Sequence, residues 1–434
     1  MAFYILRREM WKMQPDYYKE FTCIADQCSF TCCREWKIGV DDVTFKKWKH
    51  TCIPDGMYEE SLIRQNVADC SNGGNRESCV QKRQDLNTKE KKLQLSEYVI
   101  KKDGSRVIGL NEEKNCPFLN EKKLCRLVLA YGDEILSQTC QIFPRELHTF
   151  NEDVTEYSLM PSCPAVVDLL WKRNHISFSG EMDASAYRGL APLVNLRAFL
   201  MKLMEDDAHT PEHDLMKIFY VLLDLYERVE KEPVNDAVKS YPDGFLEELS
   251  KTIDDIEQNP QYSIEERNEL FLDLAENYRR EGLYEKYLEP VAQLAEQLSE
   301  QGIKEEVVKE WQEFEVHFLK YQPLMRRFLL MELYADSLKP DGNIEEMVVQ
   351  VQWIAMEYAT IRHAVFLYWL LGMENKFSNG KSISQEALAY ENLREYIVVI
   401  SRMMGYEEED IYEYLENSFE DIIWDWGYFA LICG

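Results

Sequence analysis

The sequence predicts a mainly α protein: a small cysteine-rich α+β metal-binding module on the N-terminal side, then a multi-helical domain built as a bundle or an irregular solenoid. Three observations carry this reading. Eight of the twelve cysteines fall in two groups before residue 164, apolar residues recur at three- and four-residue intervals from about Ser185 onward, and the charge divides sharply between the two parts. Residues 1–180 hold 26 basic and 26 acidic side chains, whereas residues 181–434 hold 23 and 52, so the whole net charge of −29 lies in the second part. The chain is therefore divided into a cysteine-cluster module with short hairpins, residues 1–180, and an acidic all-helical domain, residues 181–434.

Composition bounds the function classes. With 46% hydrophobic residues, nine Trp and 25 Tyr over 434 positions, the chain can fill proper cores and is not a disordered acidic protein. The opening MAFYILRREMWKM has no apolar run of signal-peptide length, and no stretch approaches the roughly 20 apolar residues that span a bilayer. The expectation is a cytoplasmic protein with no membrane partner. That compartment keeps thiols reduced, so twelve cysteines argue for metal rather than a disulfide framework. Neither part supplies the basic footprint that nucleic acid requires. The acidic helices read either as solvated faces or as a surface that attracts a lysine-bearing protein.

The first cysteine group is FTCIADQCSFTCCREW, with Cys23, Cys28, Cys32 and Cys33 inside eleven residues. Adjacent Cys32 and Cys33 point different ways and cannot both serve one packed face. The second group follows about a hundred residues later: Cys116 and Cys125 in CPFLNEKKLC, Cys140 in SQTCQIFPRE, Cys163 in LMPSCPAVVDLL. A shared inorganic centre is the simplest way to join the two groups, and soft thiolates select an iron–sulfur cluster or zinc. The spacing matches neither the ferredoxin run, nor a CxxxCxxC triad (Glu35 stands at the third position), nor paired CxxC knuckles. An iron–sulfur cluster, of the four-iron four-sulfur kind, is favoured over zinc. Either needs four thiols, so eight leave room for supporting or redox residues, or for a second centre.

Between and around these blocks the local signals are clear in places. Trp36, Ile38 and Val40 alternate as a brief strand, and Asp41, Asp42 and Thr44 offer a cap for a helix through FKKWK. Trp36 and Trp48 serve either as cover for the metal knuckle or as cation–π neighbours of a sulfonium. Cys52, Cys70 and Cys79 have no regular spacing and read as incidental thiols. LSEYVIKK, Asp103-Gly104 and SRVIGL form a hairpin, because Asp-Gly supplies the positive φ of a tight turn. CPFLNEKKLC forms a second small hairpin with Cys116 and Cys125 at its ends. A helix through Leu127, Val128, Tyr131 and Ile135 delivers Cys140 at its end, and Pro144 stops it. Arg145 is then left near the cluster, where a cation offsets thiolate charge; His148 is a candidate nitrogen ligand, though a lone His more often lies on a loop or surface.

Taken together, FTCIADQCSFTCCREWKIGVD, CPFLNEKKLC, LSQTCQIFPR and SLMPSCPAVVDLL resemble the bacterial flagellin lysine-N-methylase family (FliB), and the first three blocks more loosely resemble a family of small cysteine-cluster domains proposed to chelate zinc or iron. The resemblance covers roughly residues 10–175 and continues beyond 180 only as a long helical segment of the right kind. It implies transfer of methyl groups from S-adenosylmethionine to lysine side chains of flagellin, with a cysteine-bound metal centre.

From Tyr187 the pattern is helical over 187–205, 212–231, 243–257, 263–281, 284–300, 303–320, 323–336, 344–371, 386–404 and 407–420, with no fixed repeat period. The donor site is the least legible feature. A Rossmann methyltransferase needs a strand, a Gly-rich turn and a helix, and the pair Gly73-Gly74 has no strand before it. Methyl transfer also needs a neutral amine, whereas lysine begins near pKa ~10.4. Tyr157, Glu156, Glu357 and Tyr358 are among many aromatic and acidic residues, and the sequence assigns none of them that role. Two functions remain open on the residues alone: a cytoplasmic protein-lysine methyltransferase, or a non-catalytic iron–sulfur or zinc adaptor with a helical interaction domain. An oxidoreductase using the cluster is a third.

Overall fold

The computed structural model describes residues 11–55, 57, 93–102, 104–179, 183–256, 259–379, 388–405 and 408–434. It splits into two compact units, a smaller one of Ile24–Phe143 and a larger one of Met1–Cys23 with Pro144–Gly434. The units do not divide at residue 180, because the strands that follow Pro144 pair with the opening segment in the larger unit. Cys70, Cys79, Asp103 and the pair Gly73-Gly74 lie outside the described residues.

Among the described residues the strands are β1 (Trp11–Pro15), β2 (Val99–Lys102), β3 (Ser105–Ile108), β4 (Arg145–Thr149), β5 (Val154–Leu159) and β6 (Phe178–Ser179). The smaller unit carries helices α1 (Asp42–Trp48), α2 (Arg126–Tyr131) and α3 (Gln138–Ile142). The larger carries α4 (Pro164–Trp171), α5 (Ala191–Glu205), α6 (Pro211–Arg228), α7 (Val234–Lys239), α8 (Phe245–Asp254), α9 (Pro260–Arg280) and α10 (Glu285–Gln301). It continues with α11 (Glu305–Phe318), α12 (Gln322–Ala335), α13 (Ile344–Asn379), α14 (Tyr390–Met404), α15 (Glu408–Phe419) and α16 (Trp426–Cys433).

In the smaller unit β2 and β3 form the expected antiparallel hairpin, and Gly104 takes φ +75° in its turn. Asp41 caps α1 as expected, accepting from the Thr44 amide at 2.8 Å and hydroxyl at 2.7 Å; it also accepts from the Gln138 amide at 3.0 Å. Two expectations change. Trp36–Val40 is extended but forms only one bridge, Gly39 opposite Val107, before Asp41 turns the chain into α1. The helix expected up to Cys140 is broken at Gly132, whose φ of +77° cannot continue it, and Ser137 starts α3 anew. Cys140 therefore sits inside α3 rather than at a helix end. Trp48 is fully buried and donates from Nε1 to the Ile135 carbonyl at 2.8 Å, so it is core cover. Around it pack Ile38, Ile53, Leu95, Ile108, Phe118 and Leu127, with Cys33, Cys116, Cys125 and Cys140 against the same core.

In the larger unit a four-stranded sheet runs in the order β4-β5-β1-β6. The opening segment, expected to pack on the cysteine module, instead lies parallel to β5 with Trp11 opposite Val154. β5 buries Val154, Glu156, Ser158 and Leu159, so it needs a neighbour on both edges.

The helices follow the predicted runs closely, and the region is multi-helical. α13 packs against α6, α9, α10, α14 and α16, and it is buried on every side through its middle, as a central helix must be. α7 is too short to show a period, and α16, WGYFALIC, is too uniformly apolar. No helix among the described residues is long and apolar enough to cross a membrane.

A thiol centre and a carboxylate cavity as candidate functional sites

Five of the eight predicted ligand cysteines are brought together within the smaller unit. Cys32 and Cys33 arrive on the loop after the 3-10 turn Ala25–Gln27, Cys116 and Cys125 close the CPFLNEKKLC loop, and Cys140 stands in α3. The Cys116 amide donates to the Cys33 carbonyl at 2.7 Å, tying the two groups. The thiols suppress one another's ionisation. Cys33 is pushed up by the adjacent Cys32 thiol, then by burial and by Cys116 and Cys140. Burial raises Cys116, Cys125 and, to about 11, Cys140, and the neighbouring sulfurs act in the same direction. Such a set stays protonated without a cation and becomes a strong anionic donor set with one.

The donor set fits a thiolate-bound metal in a further respect. Burial raises these thiols, but the Phe118 amide opposes it at Cys116, the Val128 and Leu127 amides at Cys125, and the Ser137 hydroxyl at Cys140. Hydrogen bonds of that kind support a sulfur anion. Cys28 is half-buried in the same unit, while Cys23 and Cys163 belong to the larger unit. So do Arg145 and His148. Arg145 lies over the Phe21 ring at 5.0 Å, and His148 stands on β4 opposite Glu156. Trp36 packs edge-on against Phe143, 5.3 Å away.

Among the described residues, the one set of three His, Cys, Asp or Glu ligand atoms within 4.8 Å of one another is elsewhere, at His209, His213 and Asp214. Its geometry does not suit an ion. The two rings stack 4.1 Å apart and 6° from parallel, so their in-plane lone pairs cannot meet at one point. Asp214 is already paired with Arg326 at 2.7 Å and Lys217 at 2.8 Å. That three of the cysteine sulfurs do not gather within 4.8 Å speaks against a single bare ion held by them as they stand.

A second site, which the sequence did not signal, lies inside the larger unit: a cavity of about 420 Å³. β4 contributes Glu146, the link from β5 to α4 contributes Met160, Pro161 and Ser162, and α12 with its following turn contributes Glu332, Asp336 and Lys339. α13 presents Gln350, Trp353 and Glu357 at helical spacing, and α14 adds Ser401 and Met404. Trp353 donates from Nε1 to the Met404 carbonyl at 2.9 Å, which fixes its ring. The block SLMPSC thus lines a cavity through Ser162, one residue before the cysteine that drew notice, and FPRE does so through Glu146, one residue after Arg145.

The cavity is electrostatically unusual. Burial lifts Glu146 and Glu357 to about 7, with Asp336 pushing in the same direction. Glu332 is raised well above its ordinary range by burial and then by Glu357, Asp336 and Glu146. Burial lowers Lys339, but Asp336, with which it pairs, and Glu146 more than offset this and leave its ammonium above its usual value. The Ser158 hydroxyl donates to Glu146 at 3.0 Å. Two buried carboxyls, Glu332 and Glu357, with the half-buried Glu146 and the half-buried Lys339 ammonium, form the kind of perturbed set that clusters at reactive sites.

A stability consequence follows. A carboxyl whose folded pKa is raised contributes stability in full below its unfolded value near 4.5, and loses it as pH rises through about 7. Replacing Glu357 by Gln therefore raises stability at pH 8 by on the order of 2–3 kcal/mol more than it does at pH 5. Urea unfolding at the two pH values checks this; a variant equally destabilised at both contradicts it. The other charged or titratable groups facing Glu357 and its neighbours are Glu146, Glu332, Asp336, Lys339, Tyr17 and His148.

The remaining aromatic and acidic candidates have structural partners. Glu156 is buried against Arg197, whose Nη1 donates to it at 2.8 Å, and against the Tyr187 hydroxyl. Tyr157 packs edge-on against Tyr18, and the buried Tyr358 hydroxyl donates to Glu212. Of the four residues weighed from the sequence, Glu357 alone faces the cavity.

The family model of the FliB lysine N-methylase C-terminal domain matches residues 197–432, more than half of the chain and the part that supplies Glu332, Trp353, Glu357 and Ser401. The chain belongs to the FliB lysine N-methylase family. It is 30% identical over 159 residues to the flagellar biosynthetic protein FliU of Salmonella muenchen, covering 37% of this chain and 76% of that protein. It is 29% identical over 159 residues to the lysine-N-methylases of Salmonella typhimurium and Salmonella choleraesuis. The match covers 37% of this chain and only 32% of each of those enzymes, so it spans about a third of their length. No solved structure matches the chain. The matched domain contains the α12, α13 and α14 residues that line the cavity.

Proposed function

We propose that this protein is a protein-lysine N-methyltransferase that moves methyl groups from S-adenosylmethionine to lysine side chains of flagellin. The observation that carries the proposal is the buried carboxylate cavity inside the domain by which the chain joins a lysine N-methylase family. Lysine enters as an ammonium with no lone pair, and attack on a sulfonium methyl needs the neutral amine. A water-poor, anionic cavity both attracts the ammonium and supplies a group to take its proton. The net charge of −29 favours encounter with a lysine-bearing partner. A cytoplasmic location suits both the thiols and a flagellin substrate that has not yet been exported.

In the same reading Cys32, Cys33, Cys116, Cys125 and Cys140 supply the thiolates for an iron–sulfur cluster, with four of the five sufficient, while zinc, the less favoured group, would need those sulfurs to draw closer together. When bound, such a group supplies a covalent tie and a positive centre within the thiol set. The residues themselves bring three chain segments to one point and hold the sulfurs with amide and hydroxyl donors.

Titration of the full chain, purified without oxygen, with S-adenosylmethionine separates this reading from a metal-binding adaptor. Saturable binding of one donor per chain is expected. Metal bound with no donor binding would leave the adaptor.

A further inference from the structure

Two polar atoms on the cavity wall, Glu357 Oε1 and Ser162 Oγ, are buried without a hydrogen-bond partner, and the Ser401 hydroxyl stands against the Glu357 carboxyl. They come from three elements, α13, the link before α4, and α14, and all three residues are at least nine-tenths buried. Leaving a buried polar group unmet is costly, so two such atoms facing one cavity point to an occupant with several donors. A bare divalent ion does not fit, since no three of the cavity's carboxylate oxygens lie within 4.8 Å of one another among the described residues. An alkylammonium fits better. It carries three N–H donors and one positive charge, against Glu146, Glu332 and Glu357, and its chain can lie along Trp353 and Met404.

We infer that this cavity receives the amine of the substrate lysine, with Glu357 as the group that takes its proton and Ser162 and Ser401 as its positioning partners. The inference rests on the methylase reading and assigns residues to it. The ammonium gives one proton to Glu357 Oε1, which leaves a neutral amine. The amine lone pair then forms the new N–C bond to the methyl carbon of the sulfonium donor, as the C–S bond breaks and its electron pair goes to sulfur. The methylated amine is left cationic, and Glu357 passes its proton to solvent before the next cycle. Glu357 is the one carboxyl of the set with an oxygen both buried and unpartnered; Glu146 already accepts from Ser158. Lys339, paired with Asp336, neutralises part of the remaining charge, so the cavity has room for one further cation.

The test uses the full chain, two variants and two small probes, Nα-acetyl-lysine methylamide and the same compound with norleucine in place of lysine. By calorimetry, wild type should bind the lysine probe and not the norleucine probe. Glu357→Gln should weaken binding at least about tenfold and lower methyl transfer to flagellin by about 100-fold, with affinity for S-adenosylmethionine unchanged. Ser401→Ala, which keeps every charge, should weaken the lysine probe several-fold. Equal binding of the two probes, or lysine binding unaltered in Glu357→Gln, overturns the inference. Transfer by wild type and by Glu357→Gln at the same rate also overturns it and leaves the methylase reading standing. A wild-type protein that methylates no lysine removes the methylase reading instead, and the probe titration then decides the amine pocket by itself.

Discussion

Cys116→Ser protein purified without oxygen is expected to hold less than about a tenth of the metal that wild type holds, and to lose cooperative unfolding of the Ile24–Phe143 unit. Cys116 is the most buried of the five gathered thiols, its amide holds the Cys33 carbonyl, and its sulfur faces the others. Serine keeps the volume nearly unchanged but offers a hard hydroxyl that does not ionise at neutral pH. Cys52→Ser is the matched control. Its sulfur only accepts a long contact from Gln94 Nε2 at 3.8 Å, so that variant keeps its metal. Elemental analysis with limited proteolysis checks both. Equal metal in wild type and Cys116→Ser would remove the thiol set as the binding site.

Arg197→Met should cost about 3–5 kcal/mol of stability. Arg197 and Glu156 are both essentially inaccessible to solvent, and the guanidinium also donates to the Tyr334 carbonyl at 3.0 Å. The pair fastens α5 to β5, an inner strand of the sheet. Removing the arginine alone leaves a buried carboxylate with only the Tyr187 hydroxyl beside it. The double variant Glu156→Gln with Arg197→Met should recover a large part of the loss, because no uncompensated charge remains. Denaturant midpoints of the single and double variants measure both effects. A loss under about 1 kcal/mol in the single variant would mean that the pair does not hold these elements together.

The helical domain was legible in the sequence because an amphipathic stripe of period 3.6 is a local signal, and α5, α6 and α9 through α12 fall where that stripe falls. α13 was legible too, over residues 344–371. The sheet was hidden for another reason. β1 and β5 pair across about 140 residues, and nothing in a strand of five residues names a partner that far away. Gathering of the cysteines was legible from their density, whereas their division between two units was not. Glu146 and Ser162 illustrate the limit at the cavity. Each sits beside a residue that sequence reasoning noticed, Arg145 and Cys163, and only the pleat of β4 and the turn into α4 select which of the neighbours points inward. A buried carboxyl is invisible in sequence because Asp and Glu are common on surfaces; Glu357 could have been suspected only from its place in the apolar run VQVQWIAMEYA.

Incubation of the full chain, purified without oxygen, with methyl-labelled S-adenosylmethionine and flagellin tests the central claim most directly. Label is expected on flagellin lysine side chains, dependent on both substrates and lost when the chain is omitted. Donor bound and flagellin present, with no label transferred to any lysine, would contradict it.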